Sequence, residues 1–171
     1  MIGIKIVIGI VIICISGYIG IEMSSNLKAR EEVLKDFSTF LTMLKSQMIY
    51  LNSSIPTAFE YSRQSLSSRL KYAIENIVLD MAKFGVSKVD ISIEENIKAL
   101  ECLTKEDELF ISSTLKNIGI SDIDSQKNII ENAINITDEK IKEAKDKKNK
   151  DSKVYKTVGL IAGIIVVVIF I

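Results

Sequence analysis

Apolar and polar positions divide this chain into three. Residues Ile6 to Ile21 carry no charge and neither do Thr157 to Ile171, whereas every acidic residue lies between Glu22 and Asp151. A bilayer core takes about 20 apolar residues of helix. IKIVIGIVIICISGYIGI offers 18, and the closing run, extended back to Val154, also offers 18. The pattern predicts a transmembrane helix over 1–21, a water-facing domain over 22–153 and a second transmembrane helix over 154–171. An uncleaved first span is favoured over a signal peptide, because only Lys5 precedes the run and no A-x-A-like site follows it. Ile13 before Cys14 speaks against a lipoprotein signal.

Within the middle, no strand-like alternation persists and Pro56 is the one proline, so helix is the default. From Leu27 to Tyr50 the apolar positions Val33, Leu34, Phe37, Phe40, Leu41, Leu44, Met48 and Leu51 recur at three and four residues, the spacing of one helical face. Asn52, Ser53 and Ser54 stop that helix, and Pro56 suits the first turn of a short one through Thr57 to Arg63. A third carries Leu66, Leu70, Ile74, Ile77, Met81 and Phe84, with Gly85 supplying the left-handed residue that ends it. Three capping boxes then follow. Ser92 with Glu95 opens a helix bearing Ile93, Ile97 and Leu100; Thr104 with Asp107 opens one through Leu109, Phe110, Leu115 and Ile118. Ser121 with Asp124 opens the last, through Ile129, Ile130, Ala133, Ile136 and Ile141, which is free to run on toward the second apolar run. The predicted fold is all-α: a six-helix bundle between an N-terminal and a C-terminal transmembrane helix.

Composition sharpens this division. Hydrophobic residues are 47% and charged residues 26% of the 171, so the apolar content has to be concentrated rather than spread. Formal net charge is zero, but Glu22 to Glu139 holds 13 basic and 19 acidic residues, while Lys140 to Lys156 holds eight lysines against three acids. This lysine collar stops where the apolar run starts, which favours contact with anionic headgroups over a merely solvated face. Nucleic acid is not an expected partner, since the chain has no basic excess and the collar holds only Tyr155 as an aromatic. Lys28, Arg30 and Lys35 after the first run and the collar before the second place the middle domain in the cytoplasm by the positive-inside rule, with both termini outside. Gly159 with Gly163, and Ser16 with Gly20, are small-xxx-small spacings that let helices approach closely and leave a homo-oligomer open.

Candidate chemistry is sparse. Histidine is absent, which removes Ser/His/Asp and Cys/His triads and the commonest zinc ligand. Cys14 and Cys102 make no CxxC site and no disulfide framework. The acidic clusters Glu94/Glu95, Glu106/Asp107/Glu108 and Asp122/Asp124 all fall in first turns of predicted helices, where the helix dipole favours negative charge. No Walker A, dinucleotide-binding glycine loop or HExxH occurs. The sequence therefore leads to the expectation of a protein that is not an enzyme, with no catalytic, cofactor-binding or metal-binding residue.

Three stretches carry more specific information: QMIYLNSSIPTAFE, LKNIGISDIDSQ, and EKIKEAKDKKNKDSKVYKTVGLIAGIIVVVIFI. In order and spacing the chain resembles the stage III sporulation protein AB family of endospore-forming bacteria. In that family one span leads to a helix ending in an I-x-Y type turn, an L-x-x-[LF]-G-x-S-D-x-x-x-Q segment opens the last helix, and a lysine-rich stretch enters a closing L-G-x-x-x-G helix. Tyr50, Pro56, Ala58, Gly119, Ser121, Asp122, Gln126, Gly159 and Gly163 stand at the matching positions. Gln47 replaces an acidic residue usual before the turn and Leu51 the glycine usual after it.

The resemblance implies a subunit of the channel complex assembled between mother cell and forespore. Its bundle is similar to the cytoplasmic domains of type II secretion system F and type IV pilus platform proteins. By that analogy it is a non-catalytic platform in the mother-cell membrane, with a cognate secretion-type ATPase, other stage III sporulation membrane proteins and the lipid bilayer as partners. The competing expectation is a two-span signalling or regulatory protein whose helical domain binds a partner.

Overall fold

The computed structural model describes the backbone of residues 2–118 and 123–170, and side chains throughout these except at 2–10, 13, 87, 123, 124, 156, 159, 160, 163, 164 and 166–170. Six α-helices follow one another: α1 (Ile2–Lys45), α2 (Ile55–Arg63), α3 (Leu70–Phe84), α4 (Asp90–Lys98), α5 (Lys105–Asn117) and α6 (Ile123–Phe170). A π turn, Ser46–Tyr50, continues α1, and a 3-10 turn, Val86–Lys88, precedes α4. No strand occurs among the described residues. Nor, among them, is any helix long and apolar enough to cross a membrane; the side chains at 2–10 and at most of 159–170 lie outside the described set, and with them much of the two expected spans.

The chain forms two compact units, one of Met1–Glu31 with Glu143–Ile171 and one of Glu32–Lys142. These limits fall inside the polar segments rather than at the ends of the apolar runs, because polar residues of α1 and α6 pair with one another in the first unit. Ser24 and Ser152 share a hydroxyl hydrogen bond of 2.6 Å, Lys148 Nζ stands 2.6 Å from Glu31 Oε2, and the Arg30 guanidinium donates to Glu143 Oε1 at 3.3 Å. Gly20, Ser24, Arg30, Glu31 and Ala144 are buried there. Small and paired polar residues thus replace the apolar stripe a soluble helix pair would show.

The second unit has the apolar core. Its α1 face is buried at Val33, Leu34, Phe37, Phe40, Leu41 and Leu44, as the three-and-four spacing predicts. Phe37 meets Phe110 edge-on with centroids 6.1 Å apart, and Phe40 meets Phe59 edge-on at 5.1 Å, so α5 and α2 are both keyed to α1 by aromatic contacts. Ile74, Ile77, Ile93, Ile97, Ile111 and Ile130 fill the space between. Successive helices pack on one another: α2 on α3, α3 on α4, α4 on α5.

Local signals set several boundaries. Pro56 stands in the first turn of α2, and Gly85 ends α3 at φ +83°, a value L-residues rarely adopt. Thr104 and Asp107 form the expected capping box, each accepting the other's backbone N–H at 3.2 Å.

Other expectations fail. The Ser92/Glu95 box does not form: α4 begins at Asp90, which puts Ser92 inside the helix rather than at its N-cap, and the Ser92 hydroxyl donates to Asp80 Oδ2 of α3 at 2.6 Å. Glu94 and Glu95 consequently lie beyond the first turn. Leu51 and Phe84, assigned to apolar faces, are exposed, as is Leu109. The Ser121/Asp124 box falls outside the described residues. α3 begins at Leu70 rather than Leu66, and its approach is anchored by Asp36 of α1, whose Oδ2 accepts the N–H groups of Ser67 at 2.8 Å and Ser68 at 2.5 Å.

One buried ion pair joins α5 to α6. Asp107 has 0% and Lys140 8% of its surface exposed. The ammonium stands 3.2 Å from Asp107 Oδ1 and 2.7 Å from Glu106 Oε1, and lies over the Phe110 ring at 5.7 Å from its centroid. Lys140, counted in sequence as part of the collar, therefore belongs to the core. Burial pulls its pKa down, but the bonds from Glu106 and Asp107 outweigh this and hold it above the ordinary 10.5.

Lys140→Met leaves a buried carboxylate without its cation and should lower the unfolding free energy by about 3–5 kcal/mol in urea titrations. Because the folded-state pKa is raised, the lysine's contribution is complete below pH 10.5 and is lost as pH rises through the folded value. The stability gap between wild type and Lys140→Met should accordingly stay constant from neutral pH upward and close only in that alkaline range. Asp36→Ala removes the acceptor for two amides and should cost about 1–3 kcal/mol in the same titration.

Candidate interaction surface

Reactive groups in the bundle are engaged by the fold. Burial pushes the Cys102 thiol above its usual pKa, against a smaller opposing pull from Arg69, so the thiolate that would act as a nucleophile is disfavoured. Glu108 pairs with Lys105 at 3.1 Å, and Glu94 of α4 pairs with Lys116 of α5, a contact that holds the Glu94 carboxyl below its usual range. Glu106 and Asp107 are taken up by Lys140. Among the described residues no group of three or more His, Cys, Asp or Glu is placed to hold a metal ion. Asp122 and the Asp124 side chain lie outside the described set.

What remains is surface. α4 and α5 border a groove of about 350 Å³ lined by Glu94, Lys98, Lys105, Glu108, Leu109 and Lys116, with Ser112 and Ser113 beside them. Leu109 in its lining is 61% exposed. An apolar side chain ringed by charges of both signs is the anatomy of a protein-binding patch, with an apolar anchor inside and a polar rim outside. The sequence places Leu109 within this helix without distinguishing its face. The signal was present: Leu109 stands two positions from both Asp107 and Ile111, about 200° round the helix from the buried stripe that they form with Leu115 and Ile118.

The residues that carry the family resemblance separate into two kinds. Ala58 is fully buried between helices and Pro56 shapes the start of α2, so packing accounts for both. Tyr50 is 70% exposed at the end of the π turn, beside exposed Leu51, in a corner closed by Asn52 at φ +49° and by the Ser53 N–H and hydroxyl, both donated to Gln47. The fold makes no use of the Tyr50 ring. Gln126 is buried, its amide reaches the Asn117 carbonyl at 3.5 Å, and its Oε1 has no partner among the described residues. Gly119, Ser121 and Asp122 lie outside the described residues, as do the side-chain positions of Gly159 and Gly163.

Comparison with known proteins supports the resemblance. No curated protein and no solved structure gives a significant match. The sequence model for stage III sporulation protein AB, however, matches residues 5–171, nearly the whole chain, and so covers α1 through α6 together with all three stretches that suggested the likeness. The chain therefore belongs to the stage III sporulation protein AB family, and its role is in sporulation.

Proposed function

We propose that this protein is a non-catalytic membrane platform subunit of the secretion-like channel complex between mother cell and forespore, and that its helical domain docks a secretion-type ATPase. Membership of the sporulation family carries the reading. In it, the apolar runs at 1–21 and 154–171 span the mother-cell membrane that faces the forespore, and 22–153 lies in the cytoplasm.

Three observations support it. The two apolar runs reach 18 residues each when Lys5 and Lys156 are included, the length of a short bilayer span, and the lysines cluster on their inner flanks. Helix α6 continues without a break from the bundle through the lysine-rich stretch into the closing run. Glu94, Glu106, Asp107 and Glu108 are engaged in a cap and ion pairs, while the groove beside Leu109 offers an apolar anchor among charges.

Leu109→Ser should leave the melting temperature of the protein unchanged, since the side chain is exposed. It should weaken capture of a cognate secretion-type ATPase by tenfold or more, as expected when an interface anchor is lost. Undiminished capture by that variant would move the docking face elsewhere. Orientation is read by a cysteine placed at Asp90 in a Cys14→Ser, Cys102→Ser background. A membrane-impermeant maleimide should not label it in intact cells and should label it once they are opened; labelling from outside would invert the topology.

A further inference from the structure

Within the unit formed by Met1–Glu31 and Glu143–Ile171, α1 and α6 enclose a cleft of about 440 Å³. Ser24, Ser25 and Lys28 line it from one helix, Lys148, Asn149, Ser152 and Lys153 from the other, with Ile21 at one end. Three of these are lysines and none is acidic; Glu22 and Asp151 do not contribute to the lining. Lys148 stands 2.6 Å from Glu31 and Lys28 is likewise engaged within the fold, while Lys153 adds a third ammonium to a lining that holds no carboxylate. At the floor, Ser24 and Ser152 are 2.6 Å apart. One hydroxyl hydrogen lies between the two oxygens, which leaves the second for another acceptor. Ammonium groups, hydroxyls and the Asn149 amide together are the donor set of a phosphate site.

The surroundings say which phosphate. On the side of the cleft toward the apolar runs, the exposed side chains become apolar on both helices: Tyr18, Ile19 and Ile21 on α1, Val154, Val158 and Ile161 on α6. On the other side they are charged. From Ser24 to Lys28 is about 6 Å along a helix axis, comparable with the roughly 5–8 Å depth of a headgroup layer. A molecule that fits this boundary carries an anionic phosphate at one end and hydrocarbon at the other.

We infer that the cleft lined by Ser24, Lys28, Lys148, Ser152 and Lys153 is a binding site for the phosphate headgroup of an anionic phospholipid, whose acyl chains run along the exposed apolar side chains of α1 and α6. The site rests on the membrane reading proposed above. It differs from diffuse attraction to the collar in having defined residues: Lys145 and Lys147, which are also exposed, take no part in it.

The test uses the full chain reconstituted in nanodiscs of phosphatidylcholine, with or without phosphatidylglycerol, then released and weighed by native mass spectrometry. One phosphatidylglycerol should remain on each chain. Lys28→Gln with Lys153→Gln should reduce that retention by about thirtyfold, while Lys145→Gln with Lys147→Gln should leave it unchanged, with equal helical circular dichroism in both variants. Excess inorganic phosphate should not displace the lipid. Equal loss in the control variant would overturn the cleft in favour of diffuse charge, and displacement by inorganic phosphate would make it a free-anion site. A chain that inserts but retains no phosphatidylglycerol overturns the cleft alone, whereas a chain that fails to enter phosphatidylcholine nanodiscs overturns the membrane reading and the cleft together.

Discussion

A carboxylate closed off from water needs a cation or several hydrogen-bond donors beside it, and in this protein Asp107 has its cation in Lys140. Much else in the bundle follows from the pairing. Asp107 also closes the capping box with Thr104, so the start of α5 and its attachment to α6 are determined at one residue. The lysine lies over Phe110, Phe110 meets Phe37, and Phe37 stacks on Phe40, which meets Phe59. A chain of directional contacts thus runs from the buried charge through α1 to α2. Apolar burial supplies the driving force for collapse, but it does not by itself distinguish one sliding position of a helix from the next. The ion pair does, because a shift of one turn would leave a buried charge unmatched.

Local chemistry was legible in the sequence and distant chemistry was not. The three-and-four spacing from Val33 to Leu44, the proline at the start of α2, the glycine after α3 and the Thr104–Asp107 box each depend on residues within a turn or two, and all are found where the sequence places them. Ser92 has the spacing of a cap because Glu95 stands three positions on; its actual partner, Asp80, is twelve positions back on another helix. Asp36 serves amides more than thirty residues away, and no short pattern announces that. Lys140 was counted with its neighbouring lysines, although its acidic partners lie on α5. Leu109 lies two positions from Asp107 and Ile111, so the helical phase of the buried stripe is enough to put it on the outer face.

The α1–α6 pairing near residues 20–31 and 144–152 shows why hydropathy alone is a poor guide where a chain leaves an apolar run. Its contacts are hydroxyl to hydroxyl, lysine to glutamate and arginine to glutamate, with Gly20 and Ala144 providing closeness. Such a seam carries no apolar periodicity. It also concentrates donors where a headgroup would lie, so the residues that join the two helices and those that would meet lipid are partly the same. Family membership places the chain in sporulation, and Leu109 and Tyr50 stand exposed on the surface of the bundle.

The π turn at Ser46–Tyr50 has a consequence for how this chain can vary in length. A π turn takes up one residue more than an α turn does. Deleting a single residue from Ser46–Tyr50 would relax it to α geometry, whereas the same deletion within Val33–Leu44 would rotate every following side chain by about 100° and turn the core face toward water. The five residues before the Tyr50 corner thus act as a register buffer, a place where insertions and deletions can be absorbed without disturbing the aromatic contacts on either side.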